Sequence, residues 1–189
     1  MMHDPWTEYP EALLKDAIGP NPNEASVREF RDGLRGYWDK VDACLASESV
    51  QRVYQDSCYD FFRLEHYLKR YREDADKSRN FAAICSLLDN GAQLMITESN
   101  NAKKEGYFED DPERQRAPRD RYIASNIDHT LQEGETGVLF MGINHKVDKI
   151  VRAEYSTISV ENVNGEIRRL LDIFETLRSD YQGRKAQPQ

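Results

Sequence analysis

Three short apolar runs set the terms for this chain. Thr136–Gly142 reads TGVLFMG, Ala92–Thr97 reads AQLMIT, and Val50–Gln55 reads VQRVYQ. The first is apolar on both faces of a strand, so something must cover it on both sides. Between the runs lie stretches whose apolar residues recur at three- and four-residue steps, the mark of amphipathic helices. Continuous strands alternating with helices predict a parallel sheet flanked by helices. With a fourth strand at Thr157–Val163, the expectation is a small α/β domain with about four strands.

The helices read as follows. Val27, Phe30, Leu34, Tyr37, Trp38, Val41 and Leu45 share one face of a helix Glu24–Ser47, with Asn23 as its N-cap. Gly33 and Gly36 in that helix point to close packing against a neighbour. Further helices are expected at Tyr59–Tyr71, Ser78–Asn90, Asp120–Glu133, Lys146–Ala153 and Gly165–Tyr181. Asn90-Gly91 and Gly134 supply stops. Residues 1–22 form an arm punctuated by Pro5, Pro10, Gly19, Pro20 and Pro22, with a short helix at Glu11–Ala17. Asn100–Pro118 reads as a long polar loop that covers something. The division is thus an arm at 1–22, a single α/β domain at 23–182 and a tail at 183–189.

Composition removes several classes of function. The 189 residues carry 26 basic and 34 acidic side chains, a net charge of −8, which argues against nucleic acid and anionic membrane as partners. Cys44, Cys58 and Cys85 have no paired spacing, so neither a disulfide framework nor a zinc cluster is expected. The first residues, MMHDPWTEYP, lack the basic and apolar regions of a signal peptide. No apolar run approaches the ~20 residues of a membrane helix. A cytoplasmic protein is the expectation.

In open parallel sheets ligands bind outside the carboxyl ends of the strands. The first strand ends in Gln55-Asp56-Ser57, the second in Thr97-Glu98-Ser99 and the third in Asn144-His145. Arg119-Asp120 open the helix before the third strand. A parallel crossover is expected to bring that helix start back toward the opposite edge of the sheet, so that the Asn100–Pro118 loop decides whether Arg119 reaches the strand ends. Glu98 and His145, taken as ends of adjacent strands, are expected to face one cavity.

The stretch Arg119–Val147, RDRYIASNIDHTLQEGETGVLFMGINHKV, resembles the closing motif of the superfamily of erythromycin-esterase-like, ChaN-like haem-binding and TraB/Tiki-type proteins. The shared pattern is an Arg-Asp pair opening a helix, an alanine in its first turns (Ala124), and an apolar strand (Val138–Met141) ending in Gly-x-x-His (Gly142–His145). The TES at Thr97–Ser99 resembles the family's second-strand acid. This resemblance implies that Glu98 and His145 serve in hydrolysis, or in metal or haem ligation. The family's first strand ends in Gly-Glu with a histidine soon after. Here Tyr54–Ser57 reads YQDS, and the nearest histidine is His66.

The enzyme reading assigns catalytic roles to His145, Glu98 and Asp120 and substrate binding to Arg119, Asn144 and Asp56. His145 activates water, Glu98 orients or assists it, and Arg119 holds an anionic or carbonyl oxygen. A divalent metal at Glu98 and His145 is an open alternative that nothing in the sequence requires. Each residue also has a plainer reading: His145 as a turn histidine, Glu98 beside a helix start, Asp120 as a first-turn acid and Arg119 as its surface ion partner. Together, Arg119 and Asp120 would make a fixed fork for a carboxylate, a phosphate or Glu98 itself, and structural support of the site is favoured for them over direct chemistry. Past its strand, His145 is expected to contribute within about ±0.5 kcal/mol to stability. Cys58 lacks a basic neighbour and is read as inert. No serine elbow or phosphate loop occurs. The rival reading, from another class, is a non-catalytic ligand-binding or adaptor subunit. It would self-associate or bind a protein partner through residues 24–47, whose stripe carries Phe30, Tyr37 and Trp38.

Overall fold

The computed structural model describes residues 18–19, 22–56, 58–60, 63–105, 111–142, 145–151, 169–170, 172–179 and 182. The expected helix at 11–17 and strand at 157–163 lie outside them. The described residues fall into two units, one built from 48–151 and the other from 18–47 with 169–182.

In the first unit the elements are β1 (Arg52–Gln55), α2 (Leu64–Glu73), α3 (Arg79–Asp89), β2 (Gln93–Met95), α4 (Asn100–Glu105), α5 (Pro112–Thr130), β3 (Gly137–Phe140) and a 3-10 turn (Val147–Lys149); α1 belongs to the second unit. The three strands form a parallel sheet in the order β2-β1-β3. Arg52 pairs with Gln93 on one side and with Gly137 on the other. Glu98 and His145 therefore follow strands that are not neighbours, contrary to the expectation from sequence, because β1 lies between them.

Strand alternation sorts the faces. Tyr54 turns to one side, into a cluster with Ile123, Ala124, Ile127 and Val147, so α5 and the turn after β3 cover that face. Val53 and Gln55 turn to the other, where Asn80 of α3 hydrogen-bonds Gln55. Val53, Tyr54 and Gln55 are all buried. Helices on both faces are what the continuous apolar runs require.

Ser78 caps α3 by accepting the Phe81 N–H, and Gly91 follows it with φ +96°, a conformation that favours glycine. Helix α2 starts at Leu64 rather than Tyr59, because Tyr59 is used in a parallel bridge to Glu98. The larger correction is at 100–118. This stretch is no continuous loop: α4 occupies Asn100–Glu105, and α5 begins at Pro112. Asp111 caps α5 by accepting the Glu113 N–H at 2.8 Å, and Pro112 sits in the first turn, where no N–H is needed. Pro118, which reads as a helix boundary, lies inside α5. The helix expected at Lys146–Ala153 is the single 3-10 turn.

In the second unit, α1 spans Glu24–Ala46, and Asn23 caps it by accepting from the Ala25 and Ser26 amides. Phe30, Leu34 and Trp38 of its stripe are buried. Phe30 packs on Phe174 of the helical residues 172–179, with ring centres 5.8 Å apart, and Arg169 pairs with Glu29 at 2.6 Å. Among the described residues, no helix is long and apolar enough to cross a membrane.

The two helical glycines of α1 differ. A Cβ at Gly33 would come within 2.5 Å of the Leu170 side chain, whereas one at Gly36 would meet nothing within 4 Å. Gly36→Ala is therefore expected to raise stability by about 0.5–1 kcal/mol, the ordinary gain from glycine to alanine in a helix. Gly33→Ala is expected to fall short of that gain or to lose stability. Thermal melts of both variants beside the wild type check this; an equal gain at the two positions would contradict it.

Candidate functional site

Asp56, Glu98 and His145 follow the ends of β1, β2 and β3, at the carboxyl edge of the sheet. In a parallel crossover the helix runs antiparallel to the strands, so its first half lies beside that edge. This corrects the expected placement at the opposite edge. Arg119 and Asp120 stand in the third turn of α5, not at its start, and so are neither N-cap nor first-turn residues.

Successive helix residues point about 100° apart. Arg119 and Asp120 accordingly reach different strands. The Arg119 guanidinium grips Glu98 with both arms, Nε to Oε2 at 2.7 Å and Nη2 to Oε1 at 2.5 Å. The Glu98 side chain is fully buried and that of Arg119 is 17% exposed. Burial works against the Arg119 charge, but the hydrogen bond and charge of Glu98 outweigh it and hold the guanidinium above its ordinary range. Arg119 is thus the partner of Glu98 rather than a surface partner of Asp120.

Asp120 serves the other side. Its Oδ1 contacts Nδ1 of His145, and its Oδ2 accepts the Lys146 backbone N–H at 2.8 Å. Burial pushes the Asp120 carboxyl up, but the hydrogen bonds from His145 and Lys146, with the nearby His145 and Arg119 charges, hold it below the usual carboxylate range. An ionised carboxylate only accepts, so Nδ1 carries the proton. Nε2 then faces Asp56, at 3.8 Å from Oδ2, longer than a hydrogen bond.

Asp56 sits between the two pairs. Burial and the Glu98 charge push its carboxyl above the usual range, against the pull of His145, the Gly142 amide and Arg119. Its Oδ1 accepts from Gln55 Nε2 at 3.0 Å, and its Oδ2 from the Gly142 N–H at 3.4 Å. Sequence reasoning singles out Asp56 but not Asn80, which donates to Gln55 Oε1 at 3.1 Å. The only sequence signal for Gln55 is a neutral amide ending an otherwise covered strand.

Asn144 lies outside the described residues. The expectation that His145 costs little to remove is corrected by its burial: its side chain is 5% exposed. Removing it takes a donor from the buried Asp120, a loss of about 1–3 kcal/mol. Burial, with the Glu98 charge adding to it, pushes the Cys58 thiol up to about 12, so it stays protonated at neutrality and is no nucleophile. Among the described residues, no three His, Cys, Asp or Glu side chains could hold a metal ion. Both Glu98 oxygens are engaged by Arg119, which makes Glu98 a poor ligand for a metal shared with His145, whereas the Asp120 contact at Nδ1 leaves Nε2 as the His145 donor atom.

Beside the Glu98–Arg119 pair, Ser99, Ala102, Pro118, Arg121 and Tyr122 line an open surface groove of about 470 Å³. No protein-family model, curated protein or solved structure matches the chain.

Breaking a buried ion pair leaves a stranded charge. Arg119→Ala is expected to cost about 3–5 kcal/mol in urea unfolding, and Glu98→Gln a similar amount. The double variant Glu98→Leu/Arg119→Met removes both charges and should recover much of the loss; a double variant as unstable as the two single losses summed would contradict the pairing.

The two aspartates have opposite linkage to pH. Asp120 binds its proton less tightly in the folded chain, so its contribution is present above the ordinary carboxylate pKa and is lost as pH falls through the lowered folded value. Asp56 binds its proton more tightly when folded, so its contribution is present below the ordinary value and is lost as pH rises through the raised one. Asp120→Asn should therefore be destabilised at neutrality and approach wild type in acid. Asp56→Asn should gain on wild type as pH rises. Urea melts between about pH 3 and pH 7 read both trends.

Proposed function

We propose that the strand-end cluster hydrolyses a small molecule, with His145 as the base, as the resemblance to erythromycin-esterase-like, ChaN-like and TraB/Tiki-type proteins implies. The observation that carries this reading is the orientation of His145: Nδ1 is held by Asp120, and Nε2 is turned to Asp56 without a hydrogen bond to it. In this reading Nε2 takes a proton from the attacking water and later returns it to the leaving group. Asp120 fixes the ring and stabilises the imidazolium, and Asp56 faces the same nitrogen. Glu98 acts by holding Arg119, whose Nη1 is the arm that Glu98 does not engage, for a carbonyl oxygen. Three free cysteines fit a cytoplasmic setting.

A second reading has its own support. Arg119 and Glu98 are committed to one another, and YQDS stands in place of the first-strand Glu and His. In that reading the cluster binds a small ligand without turnover, and the chain acts as an adaptor. Helix α1 would then meet a partner with its remaining surface, since Phe30, Leu34 and Trp38 are buried.

His145→Asn separates the readings. Its amide keeps a donor where Nδ1 stood but removes the base at Nε2. The expected result is a near wild-type melt with hydrolysis of p-nitrophenyl acetate, or of a panel of small esters, amides and phosphoesters, reduced about 10²–10⁴-fold. No turnover of any of these by the wild type, or activity that survives the substitution, would replace the enzyme with the binding protein.

A further inference from the structure

Two buried amides stand behind Asp56. Gln55 is 8% exposed and Asn80 is 2% exposed. Their hydrogen bonds run in one direction. Gln55 presents Nε2 to Asp56 Oδ1. Its Oε1 then points away, and Asn80 must present Nδ2 to it. Among the described residues, the buried Asn80 Oδ1 has no hydrogen-bond partner. Such an orphan is uncommon in a folded chain and calls for a reason. It is the far end of a chain of donors aimed at one carboxylate.

We propose that Asn80 and Gln55 are positioning residues that fix the Asp56 carboxylate against His145, so that the cost of the orphaned oxygen supports the acid–base pair. The relay has a geometric consequence: Oδ1 belongs to Gln55, and Oδ2, which takes the Gly142 amide, is the oxygen 3.8 Å from His145 Nε2. Asp56 cannot turn about its side-chain torsions without losing one of these donors. The groups that act on Asp56 from the surrounding elements are Glu98, His145 and Arg119, and the Asp56 charge is felt in turn at Tyr71 on α2. None of them donates to Oδ1, so the relay is a separate influence on the carboxylate. This inference deepens the acid–base reading of the site, but its test does not require turnover.

The test is the carboxyl carbon shift of Asp56, followed by NMR against pH in wild type, Gln55→Met, Asn80→Leu and Asn80→Ala. Losing a donor to the ionised form should raise the Asp56 midpoint, by about half a pH unit or more in Gln55→Met and by less in the two Asn80 variants. The His145 ring resonances should shift with the same midpoint. A midpoint unchanged in Gln55→Met, or one that moves in neither Asn80 variant, overturns the proposal. Loss of the fold in all three variants overturns it too, since the amides would then be structural. If the midpoint moves as expected while no substrate is turned over, the relay stands and the hydrolytic reading falls.

Discussion

Two adjacent residues of one helix hold this site together. Arg119 and Asp120 leave α5 about 100° apart and take hold of groups beyond β2 and β3. Those strands are separated by β1, so their ends lie about 10 Å apart, twice the usual strand spacing. A single side chain could not serve both. The helix can, because it crosses over the central strand with its first half beside the carboxyl edge. Asp56, at the end of that central strand, is thereby flanked by an ion pair on one side and a histidine on the other.

The opposite edge of the sheet is tied in a comparable way. Arg52 contacts Glu135 before β3 through two hydrogen bonds of 2.9 Å, and Gln93 of β2 at 2.6 Å. One arginine thus spans the three strands where they begin, and another grips the neighbourhood of β2 where they end. The two do different work. Arg52 bridges side chains near the surface, whereas Arg119 neutralises a carboxylate that would otherwise lie buried and unpaired.

Much of this arrangement was legible in the residues. The apolar runs locate all three described strands, Asn23 and Ser78 mark true helix starts, and Gly33 marks a close approach to Leu170. The errors share a cause. Pro118 is a strong local signal against a helix, but Asp111 and Pro112 make a better start, and two tertiary contacts just beyond Pro118 hold the helix through it. Strand order was not legible either. Nothing in the chain's local pattern says that β1 lies in the middle, and so the site reads as a pair on neighbouring strands instead of three groups across a sheet. The Asn80–Gln55 contact joins residues 25 positions apart in sequence and has no periodicity to betray it.

The helical phase of α5 also sets where this chain can change length. Residues 106–110 separate α4 from the cap of α5 in sequence, ahead of the Arg119 and Asp120 contacts, so additions there leave both residues in the same helical phase. An extra residue between the cap at Asp111 and Arg119 would have to be absorbed at the helix start. One between Asp120 and Ile123 is different in kind. It would rotate Ile123 and Ile127 by about 100° relative to the Arg-Asp pair, turning them from Tyr54 or pulling the pair from its strand ends. The dipeptide and the apolar stripe below it are thus locked in phase, and the spacing between them constrains the fold more than the identity of the exposed residues in between.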